Sequence, residues 1–344
     1  MRFLPRVLVL CLVVMILTLK LMTYYWARIP EFPVSSTENT FALSAKIPFY
    51  GNPSLIPYKE FFVPGQNTTF PLNYSFHLNG SHICKDQDPY LVIFVLSVHD
   101  QTAQREAVRR TWGSVANGNH WPGTTIMPLI KIVFLFGVHD DEILNAIIRT
   151  ENEIHQDIVQ ANFVDSYDNL SLKVLMGFKW MTLHCTRAKF LMKTDEDSFI
   201  VLPKLLKKLE SASMDNSILG VYSFSEGVAN SGKNKIDKNE YPLSLFPPHC
   251  KGIMYAMPSK LAANIVTVAN HFKYMRIEDV FITGVLAKAV DARHVQLEES
   301  EYYKYKTPKP CELSNGPIIL SHGVNAVLMY QTWNTFQNPI MCSS

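Results

Sequence analysis

The chain has 344 residues and a mass of 39.2 kDa, with 47% hydrophobic and 18% charged residues. This composition is that of a globular protein with one large core or two smaller ones, and it excludes extensive disorder. The formal net charge is only +2, and no block of lysine and arginine interleaved with aromatic residues occurs. A nucleic-acid partner is therefore not expected, and a small molecule or a glycan is favoured.

The N-terminal residues have the pattern of a membrane anchor. Two arginines precede an apolar run that extends from Val7 to Trp26 with a single lysine inside it. The run is long enough to span a bilayer, and it ends in aromatic residues instead of a small-residue cleavage site. We predict a cytoplasmic tail at residues 1–6 and a transmembrane signal anchor at residues 7–26.

The next segment, residues 27–89, is interrupted by many prolines and shows no sustained helical or strand period. Such a segment is typical of a stem. Asn67, Asn73 and Asn79 each begin a glycosylation sequon there, and only a lumenal segment is accessible to that modification. The chain is therefore predicted to be a single-pass type II membrane protein whose remaining residues are lumenal.

Cysteine usage agrees with an oxidising compartment. One cysteine lies in the predicted anchor and five lie beyond it, and no CxxC pair suggests a zinc site. Because five is odd, we expect at least one thiol to be free or to pair with another chain. The sequence leaves the pairing open among Cys84, Cys185, Cys250, Cys311 and Cys342.

Apolar runs and helical periods alternate from residue 90 onward, which predicts an α/β domain over residues 90–344. The predicted strands are Leu91–Val98, Ile130–Phe136, Asn162–Asp165, Phe190–Met192, Leu219–Ser223 and Ile318–His322. The predicted helices are Gln104–Trp112, Asp140–Arg149, Leu170–Leu183, Leu202–Leu209 and one that opens at Glu278. The first strand is almost wholly apolar, as expected for a parallel-sheet strand that is buried on both faces.

Three carboxylates, Asp195, Glu196 and Asp197, follow the predicted strand Phe190–Met192. Ligands bind at the carboxyl ends of strands in open α/β sheets, and side chains two apart in an extended chain point the same way. Asp195 and Asp197 are therefore candidate ligands of a hard divalent cation shared with a diphosphate, with Glu196 pointing away. The alternative is a solvated acidic turn.

Five short motifs occur in order along the chain. They are Arg105–Gly113, Phe134–Gly137, Asp165–Lys173, Lys193–Asp197 and Glu278–Val280. Together they resemble the β-1,3-galactosyltransferase and β-1,3-N-acetylglucosaminyltransferase family of Golgi enzymes, which includes the Fringe proteins. The resemblance covers residues 90–336. It implies a single lumenal GT-A-type α/β domain, in which helices flank a mixed, mostly parallel sheet, on a Golgi type II membrane protein.

The resemblance also implies the roles of the acidic residues and of one histidine. Asp197 binds Mn²⁺, Asp195 contacts the sugar or ribose of the donor beside the metal, and His322 completes the metal shell. Asp279 is the general base, with Glu278 as the second candidate. The alternative for His322 is an ordinary histidine at the edge of the sheet. The alternative for Glu278 and Asp279 is a helix cap followed by an acidic first turn.

Four further residues match family positions that bind the nucleotide. Arg105, Arg109 and Lys173 are expected to bind the uridine and the diphosphate, and Asp165 is expected to accept from the uracil or the ribose. Ordinary solvated cations are the alternative for the three basic residues.

The implied activity is an inverting transfer of a hexose from a UDP-sugar to a glycan on protein or lipid, with a β-1,3 linkage and Mn²⁺ as cofactor. UDP-galactose is the favoured donor, and UDP-N-acetylglucosamine and UDP-N-acetylgalactosamine are the alternatives. A non-catalytic glycan-binding module or chaperone is the rival function, and a homo- or hetero-oligomer is an open expectation. The chain departs from the family at Met254, which replaces a glycine, and the sequon at Asn169 is expected to be poorly used.

Overall fold

The computed structural model describes residues 72–342 of the chain. Within these residues no helix is both long enough and apolar enough to cross a membrane. The predicted anchor at residues 7–26 and the sequon at Asn67 lie outside the described residues.

An eight-stranded sheet forms the centre of the fold, with the strand order β1-β4-β3-β2-β5-β10-β7-β11. The strands of the chain are β1 (Phe76–Leu78), β2 (Leu91–Leu96), β3 (Ile130–Val138), β4 (Ile158–Val164), β5 (Phe190–Asp195), β6 (Phe199–Ile200), β7 (Ser217–Ser223), β8 (Glu226–Gly227), β9 (Leu245–Phe246), β10 (His249–Pro258), β11 (Arg293–Gln296), β12 (Tyr302–Tyr303) and β13 (Leu320–Ser321). The block β4-β3-β2-β5 and the pair β7-β11 are parallel, whereas β1 and β10 pair antiparallel with their neighbours. The sheet is therefore mixed, as predicted.

Helices cover both faces of this sheet. They are α1 (Thr102–Arg110), α2 (Glu142–His155), α3 (Leu170–His184), α4 (Leu202–Ser211), α5 (Ser259–Ala269), α6 (Glu278–Val280), α7 (Ala287–Ala289), α8 (Pro310–Asn315) and α9 (Ala326–Gln337). A π-helical segment, Phe281–Leu286, connects α6 to α7.

The alternation of side chains along β2 explains why this strand is apolar throughout. Val92 and Phe94 pack into the core cluster that contains α3 and α5. Leu91, Ile93 and Val95 pack into the cluster that contains α1, α2, α4 and α9 on the other face. Both faces of the strand are buried, and a polar residue on either face would lie in a core.

The folded unit begins earlier than the predicted boundary at residue 90. β1 pairs with β4 at the edge of the sheet, and Leu72, Tyr74 and Ile83 are buried in the core. The end of the predicted stem therefore belongs to the domain. A three-residue strand is too short to show a period, and its pairing partner lies far along the chain, so this assignment could not be read from the sequence.

Two disulfides join parts of the domain that are distant in sequence. Cys84 bonds to Cys185 at the end of α3, and Cys311 of α8 bonds to Cys342. Cys250 is the free thiol among residues 72–342, and it is buried. This pattern agrees with the odd number of cysteines beyond the predicted anchor.

Candidate active site

A cleft of about 960 Å³ lies at the carboxyl edge of the parallel strands. It is bordered by the residues that follow β2, β4 and β5, by β10 and by the start of α6. Most of the predicted site residues line it, namely Asp165, Lys173, Asp195, Asp197, Glu278, Asp279 and His322. The location agrees with the general rule for open α/β sheets.

Asp195, Asp197 and His322 form a group in which one ligand atom from each residue lies within 4.8 Å of the others. Asp195 ends β5, and Asp197 follows it by two residues. β13 pairs antiparallel with β6, which brings His322 at the end of β13 next to Asp197. Glu196 is not part of this group, although it lines the cleft.

The atoms of this group fit a divalent cation. The Nδ1 atom of His322 lies 3.1 Å from the Oδ1 atom of Asp197. Both atoms are buried, and neither has a well-aligned hydrogen-bond partner within residues 72–342. An imidazole nitrogen beside two carboxylates is a donor set that suits a borderline metal ion such as Mn²⁺ better than Ca²⁺.

Burial also affects the middle carboxylate of the triplet. It raises the pKa of Glu196 to about 7, and the neighbouring Asp195 carboxylate adds to this increase. The backbone of Glu196 is held by its N–H bond to the Leu96 carbonyl and by the Gln104 Nε2 donor on its own carbonyl. The triplet therefore has a fixed backbone at the end of β5.

A second pair of carboxylates, Glu278 and Asp279, begins α6 on the other side of the cleft. Ile277 occupies the N-cap position, so neither acidic residue is the cap of this helix. The Asp279 carboxylate accepts from the Val280 N–H at 2.9 Å through Oδ1 and from the Gly252 N–H at 3.0 Å through Oδ2. These two backbone donors fix the orientation of a side chain that remains partly exposed.

Glu278 differs from Asp279 because it is buried, with 6% exposure. The Tyr255 hydroxyl donates to its Oε1 atom, and the Lys193 Nζ atom lies 3.6 Å from its Oε2 atom. Burial raises the pKa of Glu278 to about 7, although Lys193 and Tyr255 oppose this increase.

Asp165 and Lys173 lie in the wall of the cleft next to the end of β2. The Lys173 ammonium donates to Asp165 Oδ1 at 2.7 Å and to the Ser97 carbonyl at 2.8 Å, and Asp165 Oδ2 accepts from the Gly137 N–H at 2.9 Å. A Cβ atom at Gly137 would lie 2.4 Å from the Phe163 carbonyl oxygen, so only glycine permits this approach. The two charged side chains are thus close to the predicted nucleotide site, and they neutralise each other.

Arg105 and Arg109 do not line this cleft, in contrast to the prediction. Arg105 is fully buried and bonds to both carboxylate oxygens of Glu151, while Arg109 pairs with Glu151 and Asp157. Arg109 instead borders a separate cavity of about 250 Å³. The two arginines share a helix face, as expected from their spacing, but that face packs on the buried Glu151 of α2. No local pattern in the sequence indicates such a partner.

Arg105 nevertheless contacts the backbone of the cleft. Its guanidinium donates to the Ser97 hydroxyl at 3.0 Å and to the carbonyls of Val98 at 2.7 Å and His99 at 3.3 Å. These three residues line the cleft after β2. Arg105 therefore stabilises the backbone that forms this wall of the cleft, without lining the cleft itself.

Sequence reasoning missed two groups of cleft residues. Lys193 is buried beneath both pairs of carboxylates, and its position two residues before Asp195 was the available signal. On the opposite side, the Glu226 carboxylate bonds to Lys251 and lies 3.3 Å from His249 Nε2. This second group has no recognisable spacing, because β8 and β10 bring its members together.

Met254, which stands where the resemblance predicts a glycine, lies on the core side of β10. Met254 is fully buried, packs in the core cluster with α1 and α4, and pairs with Thr194 of β5. Gly252, by contrast, lines the cleft. The departure therefore affects packing beneath the sheet and places no side chain in the cleft.

The sequons differ in their exposure. Asn73 and Asn79 are exposed on the surface near β1. Asn169 is partly buried, and its side-chain amide donates to the Val164 carbonyl at 2.9 Å. The Nδ2 atom of Asn169, to which a glycan would be attached, is thus already hydrogen-bonded.

The open α/β sheet and the acidic cleft at its carboxyl edge have the organisation of a glycosyltransferase. The galactosyltransferase family model matches residues 103–298, which is more than half of the chain. The chain belongs to the galactosyltransferase family.

Curated relatives agree with this assignment. The chain is 29% identical over 291 residues to beta-1,3-galactosyltransferase 1 of Homo sapiens and of Mus musculus, covering 81% of this chain and 86% of the relative. It is also 29% identical over 277 residues to UDP-GalNAc:beta-1,3-N-acetylgalactosaminyltransferase 1 of Rattus norvegicus, covering 78% of this chain and 81% of that protein. The apo structure of mouse xyloside xylosyltransferase 1 has a TM-score of 0.35 at 9% identity, over 69% of this chain and 97% of that one.

Proposed function

We propose that the protein transfers a hexose from a UDP-sugar to a hydroxyl of a glycan on protein or lipid, forming a β-1,3 linkage with inversion. The observation that carries this proposal is that the Asp195, Asp197 and His322 group and the Asp279 carboxylate line the same cleft. UDP-galactose is the favoured donor, because the matching family is described by galactosyl transfer. UDP-N-acetylgalactosamine and UDP-N-acetylglucosamine remain the alternative donors.

Asp195, Asp197 and His322 are the residues that would hold the Mn²⁺ ion. When bound there, the cation offsets the negative charge that builds on the departing diphosphate. Asp197 Oδ1 and His322 Nδ1 support this role, because these buried atoms face each other at 3.1 Å and neither is hydrogen-bonded to a third group among the described residues. Asp165 and Lys173 line the same cleft and are the residues that would contact the nucleotide.

Asp279 is the proposed general base. It takes the proton from the acceptor 3-hydroxyl while that oxygen attacks the anomeric carbon from the side opposite UDP. A single displacement of this kind converts an α-linked donor into a β-linked product. Its partial exposure and its two backbone hydrogen bonds support this assignment, because the carboxylate is both accessible and oriented. Glu278 is the second candidate, but its two oxygens face Tyr255 and Lys193.

A non-catalytic glycan-binding module or chaperone is the rival function. Such a protein would bind glycans without needing a cation site and a separate carboxylate base in one cleft. The presence of Asp195, Asp197, His322 and Asp279 together therefore favours an enzyme.

We also propose that the protein is a single-pass type II protein of the Golgi membrane with its catalytic domain in the lumen. The apolar run at residues 7–26 supports the anchor. Two disulfides and the exposed sequons at Asn73 and Asn79 support an oxidising, glycosylating compartment.

The purified full-length protein provides the test. It is incubated with Mn²⁺, with each UDP-sugar in turn and with a panel of acceptor glycans, and the linkage of any product is determined by NMR. A β-1,3-linked product with one donor supports the proposal and identifies the sugar. Glycan binding without transfer or hydrolysis of any donor would instead favour the rival function.

A further inference from the structure

Lys193 lies in the middle of β5 with only 3% of its surface exposed, and its ammonium group reaches the cleft. We propose that Lys193 is a positioning residue that couples the donor-side carboxylate Asp195 to the acceptor-side carboxylates Glu278 and Asp279. This inference rests on the proposed function, since it assigns donor and acceptor sides to the cleft.

The ammonium group contacts both sides at once. Its Nζ atom lies 2.8 Å from Asp195 Oδ1 and 3.6 Å from Glu278 Oε2, and it also donates to the Gly252 carbonyl. The ammonium donates hydrogen bonds to Asp195 of β5 and to Gly252 of β10, and it forms an ion pair with Glu278 of α6. Lys193 therefore joins three elements that each contribute to the cleft.

The contact with Gly252 extends to the proposed base. The carbonyl of Gly252 accepts from Lys193, and the N–H of the same residue donates to Asp279 Oδ2 at 3.0 Å. A displacement of Lys193 would therefore move the backbone that orients Asp279. The chain Asp195, Lys193, Gly252 and Asp279 is continuous from the metal group to the base.

The register of the sheet explains how Glu278 is held as well. β5 and β10 are antiparallel, and Lys193 is directly opposite Tyr255 on the same face. Tyr255 donates to Oε1 of Glu278, while Lys193 faces Oε2. Two cross-strand neighbours thus determine the orientation of one carboxylate.

Lys179 provides a matched control. It is also buried, with 9% exposure, and its Nζ atom donates to the Leu72 carbonyl at 2.9 Å. It lies in α3 and does not line the cleft. Substitution of Lys179 by methionine removes a buried ammonium without touching the proposed site.

The test compares the full-length wild type with Lys193→Met, Lys193→Arg and Lys179→Met. Two quantities are measured in Mn²⁺: the ratio of sugar transfer to donor hydrolysis, and the affinity for UDP by calorimetry. The ratio does not depend on the folded fraction, so it remains informative for an unstable variant. We expect both Lys193 variants to lower the ratio and UDP affinity by roughly 10- to 100-fold, as for other groups that orient metal ligands, and Lys179→Met to leave both within about two-fold.

A purely structural lysine would give a different result. In that case the Lys193 variants would have lower melting temperatures but the wild-type ratio and the wild-type UDP affinity, and the proposal would be overturned. Failure of the proposed function is distinguishable from this result, because the wild type itself would then neither transfer a sugar nor bind UDP. The wild type could also bind UDP but transfer no sugar. In that case, an unchanged UDP affinity in both Lys193 variants would still overturn the proposal that Lys193 positions Asp195.

Discussion

The Nδ1 atom of His322 lies 3.1 Å from the Oδ1 atom of Asp197, although Asp197 precedes β6 and His322 follows β13, and these strands are distant in the chain. The pairing of β13 with β6 produces this contact, and Asp195 completes the group. The proximity of an imidazole and two carboxylates in one cleft leads directly to a prediction about metal removal.

The substitution Asp197→Ala should abolish Mn²⁺-dependent UDP binding and transfer while leaving the fold intact. The change removes a metal ligand and also reduces the negative charge of the group, so the melting temperature need not fall. Calorimetry with UDP and a thermal melt measure the two effects. Asp88→Ala, at an exposed position paired with Arg187, is the control and should leave activity unchanged. Full activity in EDTA would contradict the metal site.

The substitution Asp279→Asn should lower kcat by roughly 10² to 10⁴-fold, since it removes the proton acceptor. The melting temperature should fall only slightly, because the amide oxygen still accepts from one of the two backbone N–H groups, that of Gly252 or that of Val280, while the other loses its acceptor at a cost of about 1 kcal/mol. Glu278→Gln should be milder, since the two oxygens of Glu278 face Tyr255 and Lys193. Steady-state kinetics and UDP binding separate the two residues. A fully active Asp279→Asn enzyme combined with an inactive Glu278→Gln enzyme would identify Glu278 as the base.

The substitution Arg109→Met should destabilise the protein without changing the donor KM. It leaves Glu151 and Asp157 without one of their partners, and breaking a buried ion pair costs about 3 kcal/mol. Urea unfolding and donor kinetics measure the two quantities. Arg110→Met removes an exposed cation from the same helix and should leave both unchanged. A large increase in donor KM for Arg109→Met, at wild-type stability, would restore the predicted role in nucleotide binding.

The stability that Glu278 contributes to the metal-free protein should fall as the pH rises from about 4.5 to about 7. Glu151 and His99, whose pKa values are lowered in the folded state, contribute with the opposite sign, so the Glu278 contribution is the difference between the wild type and a Glu278 variant. Burial raises the pKa of Glu278 from 4.5 to about 7, so within this window the folded state binds more protons than the unfolded state. Glu278 accounts for a loss of at most about 3 kcal/mol on this basis.

Urea unfolding in EDTA across this pH range measures the loss. Glu278→Gln removes the titrating group and should make the slope of stability against pH less negative than in the wild type, whereas Glu153→Gln, at an exposed position of α2, should keep the wild-type slope. The pKa of Glu196 is also raised to about 7, so Glu196 contributes to the pH dependence of stability with the same sign as Glu278. This contribution should remain in both variants. An identical slope in Glu278→Gln and the wild type would refute the assignment.

The topology is testable in intact microsomes. The globular domain should resist added protease, and glycosidase treatment should lower its apparent mass. Asn73→Gln and Asn79→Gln should each remove one step of that mass change, because both residues are exposed. Asn169→Gln should not change the mass, since its side-chain amide is bonded to Val164. Digestion of the domain in sealed microsomes would reverse the orientation.

Much of the fold was predictable from the sequence because the relevant signals are local. The apolar strand β2 and the helix α3 each show their character within a single segment of the chain. The acidic residues Asp195 and Asp197 follow an apolar strand directly, so their position at the carboxyl edge could also be predicted. β1 was missed because three residues do not establish a period, and its stability depends on β4 and on the disulfide of Cys84.

The α/β class, the family and the acidic motif at the end of β5 could all be inferred from the sequence, since periodicity and short motifs are properties of contiguous residues. Which charged residues reach the cleft depends on long-range packing, which a local pattern does not show. Arg109 has a family position in the sequence, yet its side chain pairs with Glu151 and Asp157 away from the cleft. Lys193 acquires its contacts from the antiparallel register of β5 and β10, and that long-range pairing is not encoded in any one segment.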